Sequence, residues 1–144
     1  MKAYLAHSVH ERDRGLAFQR KLESYGYTVI NPFSVEKKRV GQIIDWNDLN
    51  PNNGQAKAIA AKIILGDLTE VAQSDMIIVI LPVKDVTIGI PCEMIFAWML
   101  HKECYTLAPE RLYGHPWIIG LSKHVWKDRE EMLRFLHDYA GWLV

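Results

Sequence analysis

Glu93 lies four residues after Gly89 and two after Pro91, where a loop gives way to an apolar helical pattern. If the helix starts near Ile90 or Pro91, its first turn offers unpaired backbone N–H groups and the positive end of the helix dipole. Both favour an ionised carboxylate. Such a carboxylate can attack the C1 carbon of a sugar, as in retaining glycosidases, while a second acidic or polar group manages the leaving group. The competing reading is a cap that reaches back to a free N–H, and on the single residue the cap is favoured. Asp67 follows Gly66 at what the pattern reads as a helix break, and Asp75 directly precedes an apolar run. Both fit cap or turn aspartates. Asp75 is assigned that role, whereas Asp67 could position a substrate near Glu93 or carry a proton. Asp85, in the loop before Glu93, is a further candidate, against the ordinary role of a solvated loop aspartate.

These side chains need elements to carry them. Residues 3–6 form a short apolar run that stops at His7-Ser8, and Leu16, Phe18, Leu22 and Tyr25 recur at helical spacing behind it. Gly26 suits a helix C-terminus, and residues 27–30 form a β-branched strand closed by Asn31-Pro32. The periodicity then dissolves over residues 33–54, a long loop of the kind that is functional or partly helical. Residues 55–65 return to helix, Gly66-Asp67 interrupts, and residues 68–72 add a turn or two. Residues 76–81 are apolar throughout, as in a central parallel strand covered on both faces. A helix from Pro91 to about Lys102, a strand at 104–107, weaker strands at 117–120 and 124–126, and a last amphipathic helix from Asp128 or Arg129 complete the chain. Strands alternating with helices imply an α/β fold, a three-layer sandwich with a mostly parallel sheet and right-handed crossovers. At 144 residues the default is one domain spanning 1–144.

In such a sheet ligands bind beyond the carboxyl ends of the strands, which nominates His7 and Ser8, the Asn31–Phe33 turn and the 82–89 loop. A histidine at that first strand end could bind a phosphate or sugar hydroxyl, or serve as an ordinary loop residue bonded to backbone. Phe33 and Trp46 could stack on a nucleobase or anchor the long loop. Lys37, Lys38 and Arg39 could attract a phosphate, although most charged runs are solvated.

Composition excludes several classes. Lys plus Arg and Asp plus Glu both total 17, so the formal charge is zero. That argues against a protein that lives on a nucleic-acid polymer or an anionic membrane, and any nucleotide recognised is a small molecule. The chain turns polar by His7, too soon for a signal peptide, and no apolar run approaches the ~18 residues needed to cross a bilayer. Two cysteines, Cys92 and Cys104, make no disulfide framework, which points to a reducing cytoplasm. The six histidines show no metal spacing, so no metal is expected. Cys92 beside Glu93 is read as a packing residue. Neither a dinucleotide fingerprint nor a P-loop occurs.

The stretch from Gly66-Asp67-Leu68-Thr69 through Ser74-Asp75-Met76 to Leu81, followed by Gly89-Ile90-Pro91-Cys92-Glu93 and Ala97, resembles the nucleoside 2-deoxyribosyltransferase family. Tyr4-Leu5-Ala6 is similar to its opening, and the likeness spans Met1 to about Leu107. The resemblance implies a flavodoxin-like, Rossmann-like fold, Glu93 as the nucleophile that takes the sugar, Asp67 as a substrate ligand near the reacting centre, and Tyr4 close enough to orient Glu93. It also implies a homo-oligomer whose neighbouring subunit completes each site, and no cofactor. Related branches hydrolyse nucleoside 5′-monophosphates. This chain departs from the pattern in placing Thr87 where the family usually has an aspartate six residues before the glutamate, with Asp85 two residues earlier. It also carries His7 and Ser8 where small residues are common. Trp117, Trp126 and Trp142 supply an apolar C-terminal third suited to self-association. The reading is therefore cleavage or transfer at the N-glycosidic bond of a nucleoside or nucleoside 5′-monophosphate. The alternative is a module that senses a nucleotide-derived ligand in the same cleft without cleaving it.

Overall fold

The computed structural model describes residues 1–34, 50–85 and 87–143; Trp46, Lys37, Lys38 and Arg39 lie outside them. The elements are β1 (Lys2–His7), a 3-10 turn (Val9–Glu11), α1 (Arg12–Ser24), β2 (Thr28–Ile30) and α2 (Gly54–Gln73). They continue with β3 (Met76–Ile80), α3 (Gly89–Met99), β4 (Glu103–Leu107), α4 (Glu110–Tyr113), α5 (Pro116–Leu121), β5 (His124–Trp126) and α6 (Arg129–Trp142). The five strands form one sheet in the order β2-β1-β3-β4-β5, every pairing parallel. His7 stands opposite Ile80, and Ile80 opposite Leu107, so the central strands end level at their carboxyl edge.

Strand alternation sorts the core onto two faces. Ala3, Leu5, Ile78 and Ile80 face α1 and α6, where Phe18, Leu22, Met132, Leu133 and Leu136 close one layer. Tyr4, Ala6, Ile77 and Val79 face Val71 of α2 and Ile90, Met94 and Ala97 of α3, with Ile118 of α5 at the margin. All five residues of β3 are buried, which is why the strand is apolar without alternation. Phe18 and Leu22, one helical turn apart, are both fully buried and each contributes about 1.5–3 kcal/mol. Gly26 at φ +96° makes the left-handed exit from α1 that a side chain would oppose. Asn53 caps α2, accepting from Gln55 N–H at 2.8 Å, and Asp128 caps α6, accepting from Glu131 N–H at 2.8 Å.

Three local expectations are corrected. Gly66-Asp67 does not interrupt a helix: α2 runs through it, the roughly 1 kcal/mol helix cost of a glycine being small beside the burial of Val71. Residues 117–120 are not a strand. Pro116 sits in the first turn of α5, His115 Nδ1 accepts from Trp117 N–H at 3.3 Å, and Ile118 is buried with Leu121 packed partly against the core. Trp126 is core rather than a surplus surface aromatic, packed on Tyr105 and Phe135. Asp75 has the structural role assigned to it. Its carboxylate accepts from Lys2 N–H at 2.7 Å while its own N–H donates to Lys2 O at 2.8 Å, pinning β1 to β3 at the amino edge.

Candidate active site

β1 and β3 are neighbours, yet the chain leaves β1 towards α1 on one face and β3 towards α3 on the other. Their divergence opens the crevice expected at the switch point of a doubly wound sheet. A cavity of about 540 Å³ occupies it, within the range of small-molecule sites. His7 and Ser8 come from the end of β1, Phe33 from the turn after β2, Asp67 from α2, Thr87 from the loop after β3, and Gly89 and Glu93 from α3.

Glu93 is the fifth residue of α3 and bonds no N–H of the helix start, which has no side-chain cap. The cap reading therefore fails on geometry. Its Oε1 instead accepts from the hydroxyl of Tyr4 at 2.8 Å, and Tyr4 is fully buried on the α2/α3 face of β1. Burial pushes the Glu93 carboxyl up to about 8, the Tyr4 hydroxyl opposing the rise and the negative charge of Asp67 adding to it. Surrounding protein outweighs the hydroxyl, although the side chain still opens on the cavity.

Asp67 projects half-buried from the interior of α2, not from a helix end. Gly89 opens α3, and a Cβ built there would meet no atom within 4 Å, so packing alone does not demand the glycine. Thr87 is half-buried and also lines a second, mostly apolar cavity of about 410 Å³ bounded by Pro82, Ile95, Leu112 and Trp117. Asp85 lines that second cavity and is not brought to Glu93. Its backbone oxygen, with those of Pro82 and Val83, accepts from the guanidinium of Arg111 at 2.8–3.1 Å. Ser8 is buried and caps the 3-10 turn, accepting from His10 N–H at 3.2 Å.

Sequence reasoning missed Arg12. It stands at the start of α1, lines the cavity and holds its guanidinium 5.4 Å from the Phe33 ring centroid. Its Nε is buried with no hydrogen-bond partner among the described residues, a condition that asks for an explanation. The available signal was a basic residue in the first turn of a helix that leaves a pocket-forming strand. Among the described residues no cluster of His, Cys, Asp or Glu is arranged to hold a metal ion, and no helix is long and apolar enough to cross a membrane.

No family model and no curated protein sequence matches the chain. Solved structures do. A 2-deoxyribosyltransferase from Bacillus psychrosaccharolyticus superposes with a TM-score of 0.67 at 15% identity, over 92% of this chain and 90% of that one. The chain shares its fold with that enzyme. A CMP N-glycosidase from Clostridium botulinum gives a TM-score of 0.58 at 20% identity, over 96% and 99% of the two chains. A conserved protein from Enterococcus faecalis V583 gives 0.68 at 14%, over 96% and 98%. The shared fold spans nearly the whole chain in each case, and within it Asp67 and Glu93 line one cavity while Tyr4, buried behind it, holds Glu93.

Proposed function

We propose that the protein cleaves or transfers the N-glycosidic bond of a nucleoside or nucleoside 5′-monophosphate through a glycosyl-Glu93 intermediate. The observation that carries this reading is the Tyr4–Glu93 hydrogen bond, with Asp67 near enough to act on the Glu93 charge, at the switch-point cavity. Support comes from the two enzymes of nucleoside chemistry that share the fold. Two neighbouring carboxylates that resist joint ionisation hold a proton between them at neutral pH. On binding, that proton passes by way of Asp67 to the departing base, Glu93 becomes the carboxylate, and its oxygen forms a bond to C1 as the C1–N bond breaks. Tyr4 keeps the attacking oxygen aimed and stabilises its charge. Water or a second base then displaces Glu93 from the sugar.

The Arg12 side chain on the cavity wall favours an anionic group on the substrate, which points to the 5′-monophosphate and to hydrolysis. Chromatographic detection of free base from a panel of deoxynucleosides and nucleoside monophosphates tests the reaction, and intact mass of the protein quenched during turnover tests the adduct. Binding without base release would make the protein a sensor. Removal of the phosphate lowers kcat/KM about tenfold or more, the scale of a hydrogen bond to a charged group. Base exchange outrunning base release would return the reading to transfer. The exposed rings of Trp98, Trp117 and Trp142 support self-association, and a monomeric mass in light scattering at micromolar concentration would refute it.

A further inference from the structure

His7 does not reach freely into the cavity. It is almost wholly buried, its Nε2 stands 2.9 Å from Asn31 Oδ1, and its Nδ1 stands 3.2 Å from Ser8 O. The polarity of this contact is set from both ends. Glu23 Oε1 accepts from Gln19 Nε2 at 2.9 Å, so Gln19 turns its Oε1 to Asn31 Nδ2 at 3.1 Å. Asn31 then presents Oδ1 to His7, and that same oxygen accepts from the backbone N–H of Phe33 at 3.2 Å, which can only donate. His7 must therefore carry a proton on Nε2; the tautomer protonated on Nδ1 alone is excluded.

The ring also needs a floor. An added Cβ at Gly15 would lie 2.4–2.6 Å from three atoms of the His7 ring, so only glycine in α1 lets the ring sit where it does. The Phe33 ring packs on His7 at 4.8 Å between centroids, and Arg12 lies over Phe33. A small cavity of about 160 Å³ beside Asn31, Phe33 and Leu16 leaves Phe33 somewhere to fall if this hold is released.

We propose that His7, seated on Gly15 and locked to Asn31, is a positioning residue that fixes the Asn31–Phe33 turn, so that Phe33 and Arg12 form a rigid wall of the substrate cavity. This rests on the function proposed above for the kinetic consequence, but not for the structural one. Chemistry resides at Glu93, so loosening the wall weakens substrate capture and leaves the chemical step.

The test is a set of variants at Gly15 and His7 read in two independent ways. In kinetics with the best nucleoside monophosphate, Gly15→Ala and His7→Ala each raise KM tenfold or more while kcat stays within threefold. The double variant is no worse than His7→Ala, because the added methyl has no ring left to strike. His7→Gln, whose amide N–H can still meet Asn31, recovers most of the loss. Wild-type KM in Gly15→Ala, additive effects in the double variant, or a fall in kcat matching that in kcat/KM would overturn the proposal. The second readout needs no turnover. Ring 15N–1H correlation places the His7 proton on Nε2, and exchange of the Phe33 amide accelerates tenfold or more in Gly15→Ala at unchanged melting temperature. Failure to find any substrate would sink the proposed function alone, whereas an Nε2 without a proton, or unaltered Phe33 exchange, would sink the positioning role.

Discussion

Two glutamates at opposite ends of the sheet each accept a tyrosine hydroxyl, and they are driven in opposite directions. Glu103, at the amino edge on β4, takes hydrogen bonds from Tyr105 at 2.6 Å, Tyr139 at 3.1 Å and the ammonium of Lys123 at 2.8 Å. Lys123 first, then Tyr105, hold its carboxyl below the usual carboxylate range. Glu93, at the carboxyl edge, has Tyr4 but faces another carboxylate in place of a cation, and burial lifts it to about 8. The lesson lies in what is missing around Glu93. Among the described residues Glu93 has a single hydroxyl where Glu103 has two and an ammonium, which leaves a carboxyl whose charge a ligand can compensate.

The harshest way to break this contrast is Glu93→Gln. Turnover is expected to fall on the order of 1,000-fold or more with the fold intact, because in the proposed mechanism the residue is the whole reaction channel; near-normal kinetics would end the proposal. The same variant has a pH signature in stability. The carboxyl ionises near 4.5 when unfolded and near 8 when folded. Its contribution is therefore fully present below pH 4.5 and lost as pH rises through 8. Relative to wild type, Glu93→Gln gains stability across that window and levels off above it, by at most about 5 kcal/mol. Denaturant melts at pH 5 and pH 8.5 read the difference, and equal gaps at the two values would place Glu93 in solvent.

Smaller effects come from its two neighbours and have opposite signs on the pH axis. Tyr4→Phe removes the hydroxyl that lowers the Glu93 carboxyl, so the falling limb of kcat/KM, where the pair gives up the proton it must deliver, moves to higher pH. At neutral pH the loss is roughly 10–100-fold, from a hydrogen bond to a charged group of about 1.5–3 kcal/mol. Asp67→Asn removes the repelling charge and moves the limb to lower pH, while kcat drops on the order of 100-fold with the lost proton carrier. Limbs shifting the same way in both variants would refute the assigned electrostatics.

How much of this was legible in the chain differs between fold and site. The parallel sheet could be read because β3 is apolar at every position and Gly26 marks the end of α1, both local signals of global arrangement. α5 could not, because Trp117-Ile118-Ile119 has strand propensity and only Pro116 with the His115 cap tips it to helix. Glu93 stood out by its spacing from Gly89. Its electrostatics did not, because they depend on how much protein surrounds the carboxyl and on Tyr4, 89 positions away in sequence. The His7–Gly15 seat was invisible for the same reason, being a contact across elements that leaves no periodic trace, whereas Arg12 was marked only by its place in the first turn of α1.

The gentlest test is at Glu103, and its value is that it should leave the chemistry alone. Glu103→Gln keeps an oxygen for the two tyrosines but loses the ion pair with Lys123. Both partners are substantially exposed, so the expected loss at pH 7 is small. The sign over pH is the reverse of that at Glu93. A carboxyl held low contributes above its ordinary 4.5 and loses that contribution as pH falls through the folded value, so the gap between variant and wild type closes in acid. It closes again in strong base, as Lys123, raised above its ordinary 10.5 by Glu103, gives up its proton. Thermal melts from pH 3 to 11 should therefore trace a low plateau with two falling edges, and kcat/KM should match wild type throughout the neutral range. A kinetic defect in this variant would mean that the two ends of the sheet are coupled, and that Glu103 is more than a fastener.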